Sequence, residues 1–501
     1  MTTQVMSEET SALGHASDSP ADPTPSRDFV AFGSKLLLPF ALLVAFATYW
    51  YPMLGRDLRF DENLTAWVIS GSFVETVERS WVHQGQSPLY FMMIWAWQAV
   101  AGSSEIALRI PSMVALFVSC WQLQMLGKEL DQRRVGQFAA IFLLVAETGA
   151  TEARPYIFMI LALIVSTRYG FRWLASGART AGLVWVVSAA VAIAMQPFAV
   201  YALVPHLTLA VLAVRKGRGL SLLGFVTLGA LLVAPIVPQI LMLRSRQDTL
   251  VIAAPPTVVD FLSSLAPAHM CVGLVAALIL DRRRTDMSLS GATGLGFITL
   301  WAVLPSLGLF LQSHVTGSSV FVERYYFAAI PAAALLVAMV LARAKPWVGV
   351  VGVMIAVLSA TLFVNPVQSR DWYAAVEFLE QAPTDANIWT VTGYIESNNP
   401  EAFADDEDNE YLNAPIRWHG AEQDLLAIPR TDIDANRAII DANIDALDRS
   451  GPRTVVIVES VEGPIRQSGP EYAEEALLLD GFEITERQPD LGVLVTTFVS
   501  N

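Results

Sequence analysis

Charge is scarce in this chain of 501 residues: Asp, Glu, Lys and Arg make up 16% of it against 54% hydrophobic residues, and mean hydropathy is +0.47. Such a balance excludes a soluble globular protein and implies an integral membrane protein. Cysteine is almost missing. Cys120 and Cys271 both lie inside apolar runs, which excludes a disulfide framework and a cysteine-based metal centre. His83, His206, His269 and His314 fall near the ends of apolar runs but share no metal-ligand spacing, so they read as structural, with His83 and His314 the first exceptions to consider. No glycine-rich phosphate loop follows a strand-like run, which argues against nucleotide binding. Lysine is the rarest charge: Lys35, Lys128, Lys216 and Lys345 are all there are.

What the chain does have is a succession of apolar runs from Phe32 to Val364, many long enough for the roughly 20 residues a membrane helix needs. Three regions follow. Residues 1–31, rich in Ser, Thr, Pro and acids and without a cleavage-site pattern, read as a disordered cytoplasmic tail. Residues 32–365 read as a transmembrane domain, and residues 366–501 as an extracytoplasmic acidic α/β domain. The last region holds 27 acidic residues, eight arginines and no lysine, a charge of −19, which leaves +4 on the rest. That acidity argues against nucleic acid or an anionic lipid surface as its partner. Strand-like runs at 388–391, 454–458 and 492–499, with helical periodicity at 372–379 and 436–447, predict its small α/β layer.

The four lysines, with Arg133, Arg134, Arg172, Arg215, Arg218, Arg282, Arg283, Arg284 and Arg343, sit in short clusters beside apolar runs and mark the cytoplasmic side. Alternation between them predicts about eleven crossings: 32–51, 106–126, 134–150, 155–174, 180–196, 197–214, 220–243, 262–280, 288–312, 325–342 and 347–365. The run 87–102, about 24 Å long as a helix, is short for a span and reads as re-entrant or surface-lying. Four segments then face outward: 52–105, the turn at Glu152-Ala153-Arg154, 244–261 and 313–324.

The first outward segment opens on Asp61-Glu62, two adjacent carboxylates where the first span surfaces. Ionised groups beside hydrocarbon are costly, so the pair is a candidate for chemistry. Two readings stand side by side: carboxylates that merely cap a helix, or a base or metal ligand held ionised at a helix start. Ala66, Ile69, Phe73, Val77 and Trp81 recur at spacings of three and four, predicting one amphipathic surface helix that begins at the pair.

Beyond it come Ser87-Pro88-Leu89-Tyr90, Gly102 through Ser112, Glu152-Ala153-Arg154-Pro155-Tyr156 and, far downstream, Arg324-Tyr325. In this order, over about the first 330 residues, the chain resembles the bacterial relatives of protein O-mannosyltransferases and of the lipid A aminoarabinose transferase, multi-span glycosyltransferases of the GT-C type. The sequence departs from the family pattern at Ser87, where a second proline is common. The resemblance implies transfer of a sugar from a polyprenyl-phosphate donor to a hydroxyl acceptor, a glycan, lipid or protein, on the outer face of the cytoplasmic membrane. It further implies Asp61, with Glu62 and Glu152, as catalytic residues, Glu147 competing with Glu152 for the second role. Arg324, Tyr325 and Arg154 are then donor-phosphate residues, and His83, Pro88 and Tyr90 substrate-binding ones. Arg154 could instead pair with Glu152 or Glu147, and Arg324 with Glu323. No cofactor is demanded. If Asp61 and Glu152 hold a divalent cation, their oxygen ligands favour Mg or Mn. A transporter or flippase of lipid-linked sugars is the competing reading, although transporters usually carry midplane ionisable groups and internal repeats, whereas these spans hold few charges and no repeat is visible.

Overall fold

The computed structural model describes residues 27–53, 56–82, 86–130, 132–245, 254–281, 292–363, 372–403, 406–448, 451–460, 467–488 and 492–500. Helices occupy each segment expected to cross the membrane, and one large apolar core runs through them. Six are long and apolar enough to cross a bilayer by length and composition. A seventh is added if Val258–Ser264 and Ala268–Leu280, bent by 74° at their junction, form one span. Arg179–Met195, Ala199–Arg215 and Pro346–Ala360 are shorter apolar helices. The result is a polytopic, mostly helical membrane protein with a small C-terminal sheet domain.

Close backbone approach sets the packing of neighbouring helices. A Cβ on Gly127 would stand 2.4 Å from the Gly136 Cα, so only glycine lets Glu105–Glu129 lie against Arg133–Leu144. The first helix, Arg27–Ala45, runs into a π-helical turn at Phe46–Trp50 before it ends.

The amphipathic segment differs from expectation. It forms two helices, Phe60–Ile69 and Phe73–Val82, rather than one. Ser72 and Glu75 explain the break: the Glu75 amide donates to Ser72 Oγ at 3.3 Å, and the Ser72 amide donates to Glu75 Oε2 at 2.6 Å. This capping box starts a new helix inside what reads as continuous periodicity. Ala66, Val68 and Ile69 of the first helix are fully buried, whereas Phe73, Val74 and Val82 of the second are exposed. The short helix Pro88–Ala101 follows, capped by Ser87 with Pro88 in its first turn.

The C-terminal sheet holds five strands: β1 (Asn387–Val391), β2 (Leu425–Ala427), β3 (Arg453–Ser460), β4 (Glu483–Gln488) and β5 (Val493–Ser500). Their order is β2-β1-β3-β5-β4, with β1 parallel to β2 and β3, and β5 antiparallel to β3 and β4. Alternation along β3 sends Val456 and Val458 to the face covered by the Trp372–Glu380 helix. Val455 and Ile457 go to the other face, under Asp434–Asp445 and Ser468–Leu479. The expected strands and helices are present; β2, β4 and the Ser468–Leu479 helix are additions.

This domain rests on the Phe60–Ile69 helix. Tyr411 meets the Trp67 ring edge-on at 5.1 Å, and Tyr394, Tyr411, Leu412 and Ala414 join the core of the helical bundle. The Trp372 amide donates to Asp57 Oδ2 at 2.7 Å, and the Tyr373 hydroxyl donates to Glu105 Oε1 at 2.6 Å.

Candidate active site

The Phe60–Ile69 helix carries the two carboxylates in its first turn, where the unpaired amides favour anions. Glu62 is fully buried, and each of its oxygens accepts two hydrogen bonds. Oε1 accepts from Arg109 Nε and from the Ala153 amide, both at 2.8 Å. Oε2 accepts from Arg109 Nη2 at 2.7 Å and from the Arg59 amide at 2.8 Å. Arg109, itself buried, also donates to the carbonyls of Met53, Arg56 and Asp57. One ion pair thereby ties together the end of the first helix, the start of the Phe60–Ile69 helix, the Glu105–Glu129 helix and the loop at 153.

Asp61, one residue earlier, turns the other way and stays partly open. Its carboxylate pairs with Arg324 from the short helix Glu323–Tyr326, 263 residues later in the chain. Arg154, buried, donates to the Asp61 carbonyl at 3.0 Å. Arg154 thus pairs with neither Glu152 nor Glu147, and Arg324 binds Asp61 rather than Glu323. Arg324 Nε and Arg154 Nε are buried and have no hydrogen-bond partner. Two guanidiniums with unused donors beside one carboxylate make a ready site for an anionic group. Tyr325 packs under Arg324 at 5.6 Å from its guanidinium carbon and against Phe198.

Glu152 pairs with Arg59, and burial raises its carboxyl above the ordinary range against the opposing pull of that guanidinium. Tyr90 is buried with Thr65, Arg154 and Glu62 as polar neighbours, and Pro88 serves to open its helix. His83 lies outside the described residues. The structure therefore gathers Asp61, Glu62, Glu152, Arg154, Arg324, Tyr325 and Tyr90 at one end of the bundle. Two cations of one expected cytoplasmic cluster lie at the other: Lys216 and Arg218 donate to the Leu174 carbonyl, near the far end of the helix that Tyr156 begins.

Among the described residues no group of three or more His, Cys, Asp or Glu is arranged to hold a metal ion. Asp61 and Glu152, the pair considered for a cation, each face a guanidinium instead. Arg59 and Arg109 are the functional neighbours that sequence reasoning left without a role. Arg109 leaves a signal there, the one cation inside the apolar run 106–126; Arg59 leaves only its place at the cap.

Residues 85–242 match the family model described as dolichyl-phosphate-mannose-protein mannosyltransferase. Searching curated proteins by sequence gives no match. Among solved structures, the fold is similar to that of ArnT from Cupriavidus metallidurans bound to undecaprenyl phosphate. The two share 12% identity at a TM-score of 0.52, over 94% of this chain and 98% of that one. The archaeal oligosaccharyltransferase AglB from Archaeoglobus fulgidus, in complex with an inhibitory peptide and a dolichol-phosphate, matches at 10% identity and a TM-score of 0.44, over 93% of this chain and 74% of that one. The family match supports the glycosyltransferase reading and gives nothing to the flippase. The resemblance read in the sequence thus holds: this is a membrane glycosyltransferase with a mannosyltransferase-family segment in an ArnT-like fold.

Proposed function

We propose that the protein transfers a sugar from a polyprenyl phosphate to a hydroxyl acceptor at the outer face of the cytoplasmic membrane, through eleven crossings that leave residues 366–501 outside. The observation that carries this reading is the ion pair of Asp61 with Arg324. In the resting enzyme Arg324 holds Asp61. An arriving phosphodiester competes for the guanidinium with its own negative charge, joined by Arg154, and frees the carboxylate to act as base. The acceptor oxygen then attacks the anomeric carbon and its proton passes to Asp61. The bond from that carbon to the phosphate oxygen breaks with its electron pair on the phosphate, and the resulting dianion is stabilised by Arg324 and Arg154. Tyr325 sets the Arg324 plane. Glu62 acts by positioning, since all its acceptor sites are filled, and Glu152 orients Arg59 at the edge of the site. Tyr90 and Pro88 shape the wall beside Arg154, and His83 belongs to the same outward segment.

Mass spectrometry of envelope glycans, glycolipids and glycoproteins tests the reading in cells lacking the protein and complemented with wild type or Asp61→Asn. A sugar lost in the deletion and restored only by wild type, at equal protein level, supports it. Equal restoration by both overturns the role of Asp61.

A further inference from the structure

Beside Glu152 lies a cavity of about 150 Å³ lined by Tyr49, Trp50, Arg56, Glu147, Thr148 and Glu152, among others. A volume of that order accommodates one six-membered ring. Its lining mixes apolar side chains, Leu116 and Leu144 among them, with polar ones, the usual make-up of a small-molecule site. Two of its polar groups are unused. The Thr148 side chain is buried and its Oγ1 has no hydrogen-bond partner. Glu147 makes no hydrogen bond or ion pair among the described residues, in contrast to Glu152, which holds Arg59, and Tyr49, whose hydroxyl donates to the Val145 carbonyl at 2.9 Å. A buried hydroxyl and a half-buried carboxylate left unpaired cost free energy until a ligand meets them.

Charge narrows the ligand. Glu147 and Glu152 are balanced by Arg56 and Arg59, so the cavity calls for a neutral molecule rather than a second phosphate. Hydroxyl donors suit the Glu147 carboxylate, and the Trp50 face, turned on edge by Phe117 at 5.2 Å, suits the apolar face of a ring. We propose that this cavity is a subsite for one neutral, hydroxylated sugar ring, with Glu147 and Thr148 Oγ1 hydrogen-bonded to its hydroxyls, which makes these two residues determinants of sugar specificity. The inference rests on the glycosyltransferase reading. The ring can belong to the donor or to a glycan acceptor, and the test separates them.

Native mass spectrometry of the full-length protein would compare binding of undecaprenyl phosphate with that of undecaprenyl-phosphate mannose, glucose and arabinose, in wild type, Glu147→Gln and Thr148→Val. For a donor ring, one sugar-bearing lipid binds wild type more tightly than the bare lipid. That advantage falls about tenfold in the variants, the usual loss for a hydrogen bond to a charged group, while bare-lipid binding stays unchanged. For an acceptor ring, lipid binding is unchanged throughout and the KM for the acceptor glycan rises about tenfold at constant kcat. If neither quantity moves in variants that melt like wild type, the subsite is wrong. If wild type binds neither bare nor sugar-bearing undecaprenyl phosphate, the glycosyltransferase reading fails and takes the subsite with it.

Discussion

Glu62 is fully buried and engages four donors, whereas Asp61 keeps part of its carboxylate open beside Arg324. Adjacent acids with such different surroundings should respond to substitution in opposite ways. Asp61→Asn should lower kcat about 10²- to 10⁴-fold, the range of a general base, and leave the melting temperature nearly unchanged, because its ion pair is partly exposed. Arg109→Ala should instead destabilise the protein by about 3–5 kcal/mol, since it strands Glu62 as an uncompensated buried charge; melting in detergent reads the difference. Glu152 adds a pH signature. Its raised carboxyl takes up a proton above the ordinary carboxylate range, so the acidic limb of kcat/KM should lie above that range and move down in Glu152→Gln. A carboxyl raised on folding stabilises the protein at low pH, and that contribution is lost as pH rises through the folded pKa. The melting temperature of Glu152→Gln relative to wild type should therefore climb over the same interval. The sequence makes the pair Asp61-Glu62 visible by adjacency. It cannot say which of the two stays partly exposed, because that depends on Arg109 and Arg324, 47 and 263 residues away.

Helices were legible where apolar runs were long and bounded by charge, and a helix lies in each of the eleven expected segments, although the one in 134–150 stops at Leu144. The first outward segment shows the limit. A spacing of three and four continued from Ala66 to Trp81, yet Ser72 and Glu75 restart the helix, and local capping outweighs periodicity there. Ser72→Ala should cost about 1 kcal/mol, the usual value of a cap, and hydrogen exchange should show it as faster exchange in Phe73–Val82 alone. Strand β4 escaped notice because Glu483–Gln488 has no apolar alternation; its residues are nearly all exposed. At the packing of Glu105–Glu129 on Arg133–Leu144, Gly127→Val should abolish folded yield, as its side chain would enter the Gly136 backbone.

At the scale of the whole molecule, the acidic domain is tied to the helix that bears the candidate base. Trp67–Tyr411, Asp57–Trp372 and Glu105–Tyr373 join the two parts around that helix. None of these pairs could be read from sequence, where the tail looks like a detached soluble unit. The Tyr373 hydroxyl, pushed up to about 12 mainly by its hydrogen bond to Glu105, stays a donor throughout the working pH range. In the proposed mechanism Arg324 holds the Asp61 carboxylate until a lipid phosphate releases it. The most direct test is a single-turnover measurement of undecaprenyl phosphate release from the sugar donor identified in the envelope comparison, by wild type and Asp61→Asn at matched donor occupancy. Donor binding should be normal and the release rate lower by about 10² or more in the variant. Release at the wild-type rate by Asp61→Asn would contradict that mechanism.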